Sequence, residues 1–240
     1  MKSSNHKPYF SIDRLKGQSF IELALILPVM LLMLMGLVEV SIYIDRYLDI
    51  LDLTREAARF ASLRDPFVPA LDQNCSTELF DFYYDTSCIF SPPGGDASCV
   101  PNDPFCNGIN ASFRMNPATD DIVISVYTVT DNAVSNTWPA IGYWAFSDHD
   151  TDTVHNGNWT TDCDGNVVRS SPYYTQAHVT SLLEANAPPK RGFVAVEAYI
   201  CHEQALGLPV VSQFIPNPIR VHAYTIMSLP AAQPTPTPIP

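Results

Sequence analysis

The residue whose placement most needs a chemical reason is an acid at the head of an apolar stretch. Glu22 closes the run Gly17-Gln18-Ser19-Phe20-Ile21-Glu22, and from Leu23 to Val38 no charge follows. An ionised group is costly in hydrocarbon, so an intramembrane carboxylate marks a functional position and asks for a partner. Other groups able to do chemistry lie farther along. Asp162-Cys163-Asp164-Gly165-Asn166 sets oxygens around a turn-making glycine, as part of a calcium loop does, which makes Asp162, Asp164 and Asn166 weak calcium candidates. The stretch lacks the distant bidentate glutamate, and a solvated Asp/Gly turn explains the same residues. His149, His155, His178, His202 and His222 show no metal-ligand spacing, and no Gly-x-Ser-x-Gly elbow or phosphate-cradling glycine loop occurs. The sequence therefore points to no catalytic residue, no metal and no cofactor.

Six cysteines, Cys75, Cys88, Cys99, Cys106, Cys163 and Cys201, all follow the apolar segment. An even count in an exported region reads as disulfides, with the connectivity open, and no Cys-x-x-Cys pair favours zinc instead. Trp138, Tyr143, Trp144 and Trp159 could offer stacking faces to a glycan, but filling the core of a loop-rich domain accounts for them better. The sequons at Asn74, Asn110 and Asn158 are read as chance occurrences.

The element that must position Glu22 is a membrane helix. From Phe20 to Ile44 only Glu22 and Glu39 are charged. A spanning helix needs about 20 apolar residues, so this stretch suffices with some tilt, and Pro28 is tolerable within it. It is too long for a secretory signal peptide, and Val40-Ser41-Ile42-Tyr43 offers no small-x-small cleavage site. Ahead of it Lys2, Lys7, Arg14 and Lys16 outweigh Asp13, which keeps the N-terminus cytoplasmic and exports everything after about Ile44.

The expected organisation is a cytoplasmic leader over 1–17, a transmembrane helix over 18–45, an exterior continuation of that helix over 46–65, an exterior β-rich domain over 66–230, and a disordered Pro/Thr tail over 231–240. The helix should run from about Ser19 to Leu63 and stop at Asp65-Pro66, with Leu48, Leu51, Ala58 and Ala61 facing the domain. Ile122 to Val129, Phe193 to Cys201 and Ile219 to Met227 read as strands, the second with Val194, Val196, Ala198 and Ile200 on one face. Thr175 to Asn186 reads as a short helix stopped by Pro188-Pro189, while 85–118 and 131–174 look loop-rich. The fold class is α+β: a long N-terminal transmembrane helix extending into an exterior domain whose antiparallel β-sheet packs on the helix.

With Gly17-Gln18-Ser19-Phe20-Ile21-Glu22-Leu23-Ala24-Leu25, Pro28 and the later Thr54-Arg55-Glu56-Ala57-Ala58-Arg59-Phe60-Ala61, the chain resembles the TadE-like (TadE/TadG-like) minor pseudopilins of tight-adherence pilus systems. The resemblance implies a pilin-like architecture and cleavage by a prepilin peptidase between Gly17 and Gln18, which makes Glu22 the fifth residue of the mature chain. It also implies partners: the peptidase, other pilin or pseudopilin subunits, and the pilus-assembly machinery. Physics gives the acid a role beside this. Cleavage frees an amine at Gln18 a short way along the helix, and in a bundle Glu22 of one subunit can neutralise that amine on its neighbour.

The chain has 240 residues and a net charge of −12, and losing 1–17 would leave it more acidic still. That argues against nucleic acid, which needs clustered Lys and Arg, and suits a solvated exterior domain. Two functional readings follow. One is a non-catalytic pseudopilin-like subunit of a tight-adherence pilus, held in the bacterial cell membrane by a single pass. The other is an uncleaved, membrane-anchored surface or adhesion protein whose exterior domain binds a ligand.

Overall fold

Leu, Ile, Val and Met dominate the apolar segment, which forms part of one α-helix, α1, over Leu15–Ser62, 48 residues long and continuous through Pro28. The computed structural model describes residues 15–67, 74–75, 80–97, 99, 103–148, 157–183, 190–207 and 215–229. The helix starts four residues ahead of the expected Ser19, so Gly17 and Gln18 lie inside its first turns. It ends before Asp65-Pro66 because side chains close it earlier. The Ser62 hydroxyl donates to the Arg59 carbonyl at 2.8 Å, and Asp65 Oδ1 accepts from the Phe67 amide at 3.0 Å, an Asx turn.

The chain divides into two units, Met1–Ile42 and Tyr43–Pro240. In the first, α1 is the described structure. Its large apolar side chains face outward, with Phe20 73% and Leu25 70% exposed. Over Phe20–Ser62 the helix is long and apolar enough to cross a membrane.

In the second unit a sheet is built from β1 (Asp121–Thr130), β2 (Ala133–Trp138), β3 (Trp144–Ala145), β4 (Lys190–His202) and β5 (Ile219–Leu229). The order is β2-β1-β4-β5, with β3 also on β1, and every pairing is antiparallel. Two short helices, α2 (Phe82–Ser87) and α3 (Gln176–Ser181), complete it.

The three expected strands are present and longer at one or both ends. The stretches expected as loops hold more structure. β2 and β3 fall within 131–174, while the second half of α2 and a 3-10 turn at Cys88–Phe90 fall within 85–118. β2 hid because its hairpin uses Asp131-Asn132, both in the left-handed region at φ 51° and 62°, without the glycine that usually signals such a turn. α3 is shorter than the expected 175–186. Thr175 caps it by accepting from the His178 amide, and Pro188-Pro189 lie outside the described residues. The tail over 231–240 lies outside them too.

The sheet buries both faces. On one, Ile122, Ile124, Val126, Val194, Val196, Ala198, Ile200, Val221 and Ala223 meet Ile50, Leu53, Ala57, Ala58 and Ala61 of α1, with Phe82, Tyr84 and Phe90 beside them. The four residues expected on one face of β4 are all here. The helix stripe differs: Ile50 is fully buried and Leu48 is 51% exposed. At 100° per residue, positions 50, 54, 57 and 61 centre one stripe, whereas 48 points the opposite way.

The second face is covered by residues from 143–148 and 157–183. Tyr127, Val129, Ala195, Tyr174 and Val179 cluster at one end, and Val123, Ala145, Trp159 and Tyr199 at the other. Of the four aromatics read as core or glycan platform, Trp159 is fully buried, Tyr143 packs half-buried beside it, and Trp138 and Trp144 pack half-buried against the core on the helix side of the sheet.

Candidate functional site

The helix head is the site the sequence selected. Gly17 and Gln18 are helical, and Glu22 follows Gln18 by four residues, one turn, with a rise of about 6 Å. Positions i and i+4 share a helix face, so anything attached at the Gln18 nitrogen starts on the same side as the Glu22 side chain. Glu22 is exposed among Phe20, Ile21, Leu23 and Leu25, which are exposed as well. Six residues on, Pro28 has no N–H to give the carbonyl of Ala24. A carboxylate exposed on an apolar helix can bind a cationic group.

The structure also assembles polar groups that sequence reasoning missed, all on the loop-covered face of the sheet. Glu197, 1% exposed, accepts from the Tyr173 amide at 3.0 Å, the Tyr174 amide at 2.9 Å and the Tyr199 hydroxyl at 2.6 Å. His222 Nε2 lies 3.2 Å from the same carboxylate. Burial, then the neighbouring carboxylate, pushes the Tyr199 phenol up, and burial with nearby tyrosines pushes Tyr174 up to about 12.

Asp121, fully buried, accepts from the amides of Ile122, Ser147 and Trp159 and from the Ser147 hydroxyl at 2.7 Å. Burial pushes its carboxyl up and these donors oppose the shift. Gly157 permits the approach, since a Cβ there would stand 2.8 Å from Asp121 Oδ2.

Asp120 accepts from the Asn116 and Cys201 amides at 2.8 Å each, and burial pushes it up too. The Arg220 guanidinium spreads over five carbonyls, those of Thr119, Tyr199, Asn158, Thr161 and Asp162, at 2.7 to 3.2 Å. Burial pulls its pKa down. Arg169 lies over the Tyr199 ring at 4.8 Å. Each of these charges is loaded with hydrogen-bond partners, so the cluster fastens loops to strands. No short motif announces it, because its members come from four separate segments.

The calcium candidates form a closed turn. Asp162 Oδ1 accepts from the amides of Asp164 and Asn166, and Asn166 Nδ2 donates to both Asp162 oxygens. These bonds, the Asn166 side chain first, hold the Asp162 carboxyl below its ordinary value. The oxygens a cation would need are turned to the loop's own N–H groups, which is the Asx-type arrangement. Among the described residues no group of three or more His, Cys, Asp or Glu could hold a metal.

The cysteines pair as Cys75–Cys88, Cys99–Cys106 and Cys163–Cys201. The first two pin the segment before β1, and the third fastens the 161–167 turn to the end of β4. Two sequons are occupied structurally. Asn110 Nδ2 donates to the Phe90 and Phe113 carbonyls, and Asn158 Nδ2 to those of Pro117 and Asp120.

A long helix, apolar and exposed in its first half, followed by an antiparallel sheet domain defines an α+β chain with a candidate membrane span. Its helix carries a specific signature: residues 17–59 match the family of TadE-like proteins. That match starts at Gly17, includes Glu22, and stops short of the disulfides and the sheet. No curated protein matches the chain, and no solved structure does.

Proposed function

We propose that the chain is a non-catalytic, pseudopilin-like subunit that takes part in assembly of a tight-adherence type IV pilus. α1 anchors it in the bacterial cell membrane in a single pass, with the N-terminus cytoplasmic and the sheet domain exterior. The TadE-like match over 17–59 carries this reading, since that family implies a role in Tad pilus assembly and its proteins are structural. A prepilin peptidase removes 1–17 by cutting after Gly17. The new ammonium at Gln18 then lies one turn from Glu22, and in a bundle of helices the carboxylate of one subunit neutralises the ammonium of the next. The helix pairs with other pilin or pseudopilin subunits, and the acid sets their register.

N-terminal sequencing of the chain recovered from membranes tests this. It is expected to read from Gln18 with the peptidase present and from the leader without it. An intact leader under both conditions overturns the processing and favours the uncleaved surface anchor. Glu22→Ala is expected to insert in the membrane yet fail to enter the assembly. Removing one partner of a buried charge pair costs about 3–5 kcal/mol. Normal incorporation of that variant would remove the assigned role of Glu22.

A further inference from the structure

After α1, Tyr173 and Tyr224 alone among the described aromatic residues are exposed, at 41% and 38%. One belongs to the loop cover and the other to β5, yet their rings stack at 4.0 Å with planes 28° apart. The pair is held in place from below. Buried Glu197 accepts from the Tyr173 amide, and His222, 3.2 Å from the same carboxylate, lies 5.1 Å from the Tyr224 ring. Tyr174 stands edge-on to both rings, at 5.1 and 5.7 Å. Exposed rings fixed by a buried, hydrogen-bonded support are pre-organised for a ligand.

The His178 ring adds an acceptor beside Tyr173. Its Nδ1 lies 2.9 Å from the Tyr173 carbonyl, which only accepts, so Nδ1 carries the hydrogen and Nε2 of the neutral ring accepts. Charge selects the ligand. The chain has 25 acidic residues, yet none occurs from Gly165 to Leu183 or from Ile219 to Leu229. Glu197 is spent on the loop amides, and Arg169 and Arg220 on carbonyls. The Asp162 turn is held at Arg220, four residues and about 13 Å along β5 from Tyr224. Among the described residues, a cationic ligand therefore meets no free carboxylate at the rings, and an anionic one no free guanidinium. A neutral molecule with apolar faces and hydroxyl edges fits both the rings and the polar groups, and that molecule is an oligosaccharide. β-1,4-linked sugars are its flat form, because their axial C–H bonds line both faces of the ring.

We propose that Tyr173 and Tyr224, with His178 beside them, bind a neutral β-1,4-linked oligosaccharide. A C–H face of the sugar packs on the exposed ring surface, and its hydroxyls bond the two phenols and His178 Nε2. The site lies wholly in the sheet domain, so it goes beyond assembly through α1 and does not depend on where the mature chain begins.

The test uses the full chain in nanodiscs of phosphatidylethanolamine and phosphatidylglycerol, which carry no sugar, titrated with cellotetraose, chitotetraose and maltotetraose. With tyrosine rings labelled with carbon-13, one of the two β-linked sugars is expected to shift the Tyr173 and Tyr224 signals. Tyr47, 36% exposed on α1, should stay unmoved, and maltotetraose, curved by its α-links, should bind more weakly. Tyr224→Ala is expected to weaken binding about 3- to 10-fold, and Tyr224→Phe, which keeps the ring, by less than about 2-fold. The labelled, unsubstituted protein gives the answer even where Tyr224→Ala fails to fold. No shift with either β-linked sugar, or shifts of equal size at Tyr47, overturns the site. Binding that survives Tyr224→Ala unchanged overturns it as well. Self-association that Tyr224→Ala abolishes, with no sugar bound, assigns the surface to a second copy of the chain and overturns the proposal too.

Discussion

The two faces of the sheet are buried by opposite means. Toward α1, β1 and β4 present Ile122, Ile124, Val126, Val194, Val196, Ala198 and Ile200, and the cover is a helix stripe of small and branched residues. Away from it, the same strands present Asp121, Tyr127, Glu197 and Tyr199, and the cover is a long irregular segment. A helix satisfies its own backbone internally, so an apolar stripe is all it needs to pack. An irregular cover arrives with unsatisfied amides and carbonyls, and buried groups of that kind must find partners. The carboxylates of Asp121 and Glu197 take the amides, and the Arg220 guanidinium takes the carbonyls. Charge on the second face is the consequence of covering a sheet with loops.

The largest effect that would break this comparison is expected from Glu197→Ala. It strands the Tyr173 and Tyr174 amides, and denaturant unfolding of the full chain in detergent should show a loss of about 3–5 kcal/mol. A loss below about 1 kcal/mol would mean that the carboxylate does not tie down the cover.

The disulfides come next, because loop length scales the unfolded-state freedom each removes. Cys163–Cys201 spans 38 residues and Cys99–Cys106 spans 7. Replacing the first pair by alanine should cost about 4 kcal/mol and the second about 2 kcal/mol in the same measurement. The reverse order would mean that the loop-covered face draws little from its cross-link.

Proton linkage gives a smaller difference. Burial raises the folded-state pKa of Asp120 and Asp121, so between their ordinary and raised values the folded chain holds more protons than the unfolded. Their contribution therefore improves as pH falls through the raised values and declines as pH rises back through them. Carbon-detected NMR titration should place both carboxyl midpoints above the usual aspartate range. Ordinary midpoints would mean that the donors around them outweigh desolvation.

The smallest effect is expected on the helix-covered face. Ile124→Val should cost about 0.5–1.5 kcal/mol, a packing loss with no polar group left stranded, and it should not change with pH. A pH-dependent loss there would erase the distinction between the faces.

The helix-covered face was largely legible. Val194, Val196, Ala198 and Ile200 alternate in sequence, and alternation is a local signal that survives without any partner. The helix stripe was misplaced at Leu48 because several small and apolar residues in that stretch offer competing stripes, and only the sheet selects among them. The loop-covered face was illegible because Glu197, Arg220, Asp121 and the 157–162 turn are far apart in the chain, and nothing local in any of them specifies the others. At the helix head, Gly17, Gln18 and Glu22 were readable together because one helical turn contains the last two.

The sequence by itself determined what depends on neighbours along the chain: an apolar run long enough to cross a membrane, an acid at its head, β-rich strands after it, and an even set of cysteines following the run. Tertiary structure alone decided which cysteines meet, which helix positions are buried, and that a second cover closes the sheet. Those choices rest on contacts between distant segments, and the free energy of such contacts is defined only once the segments are brought together.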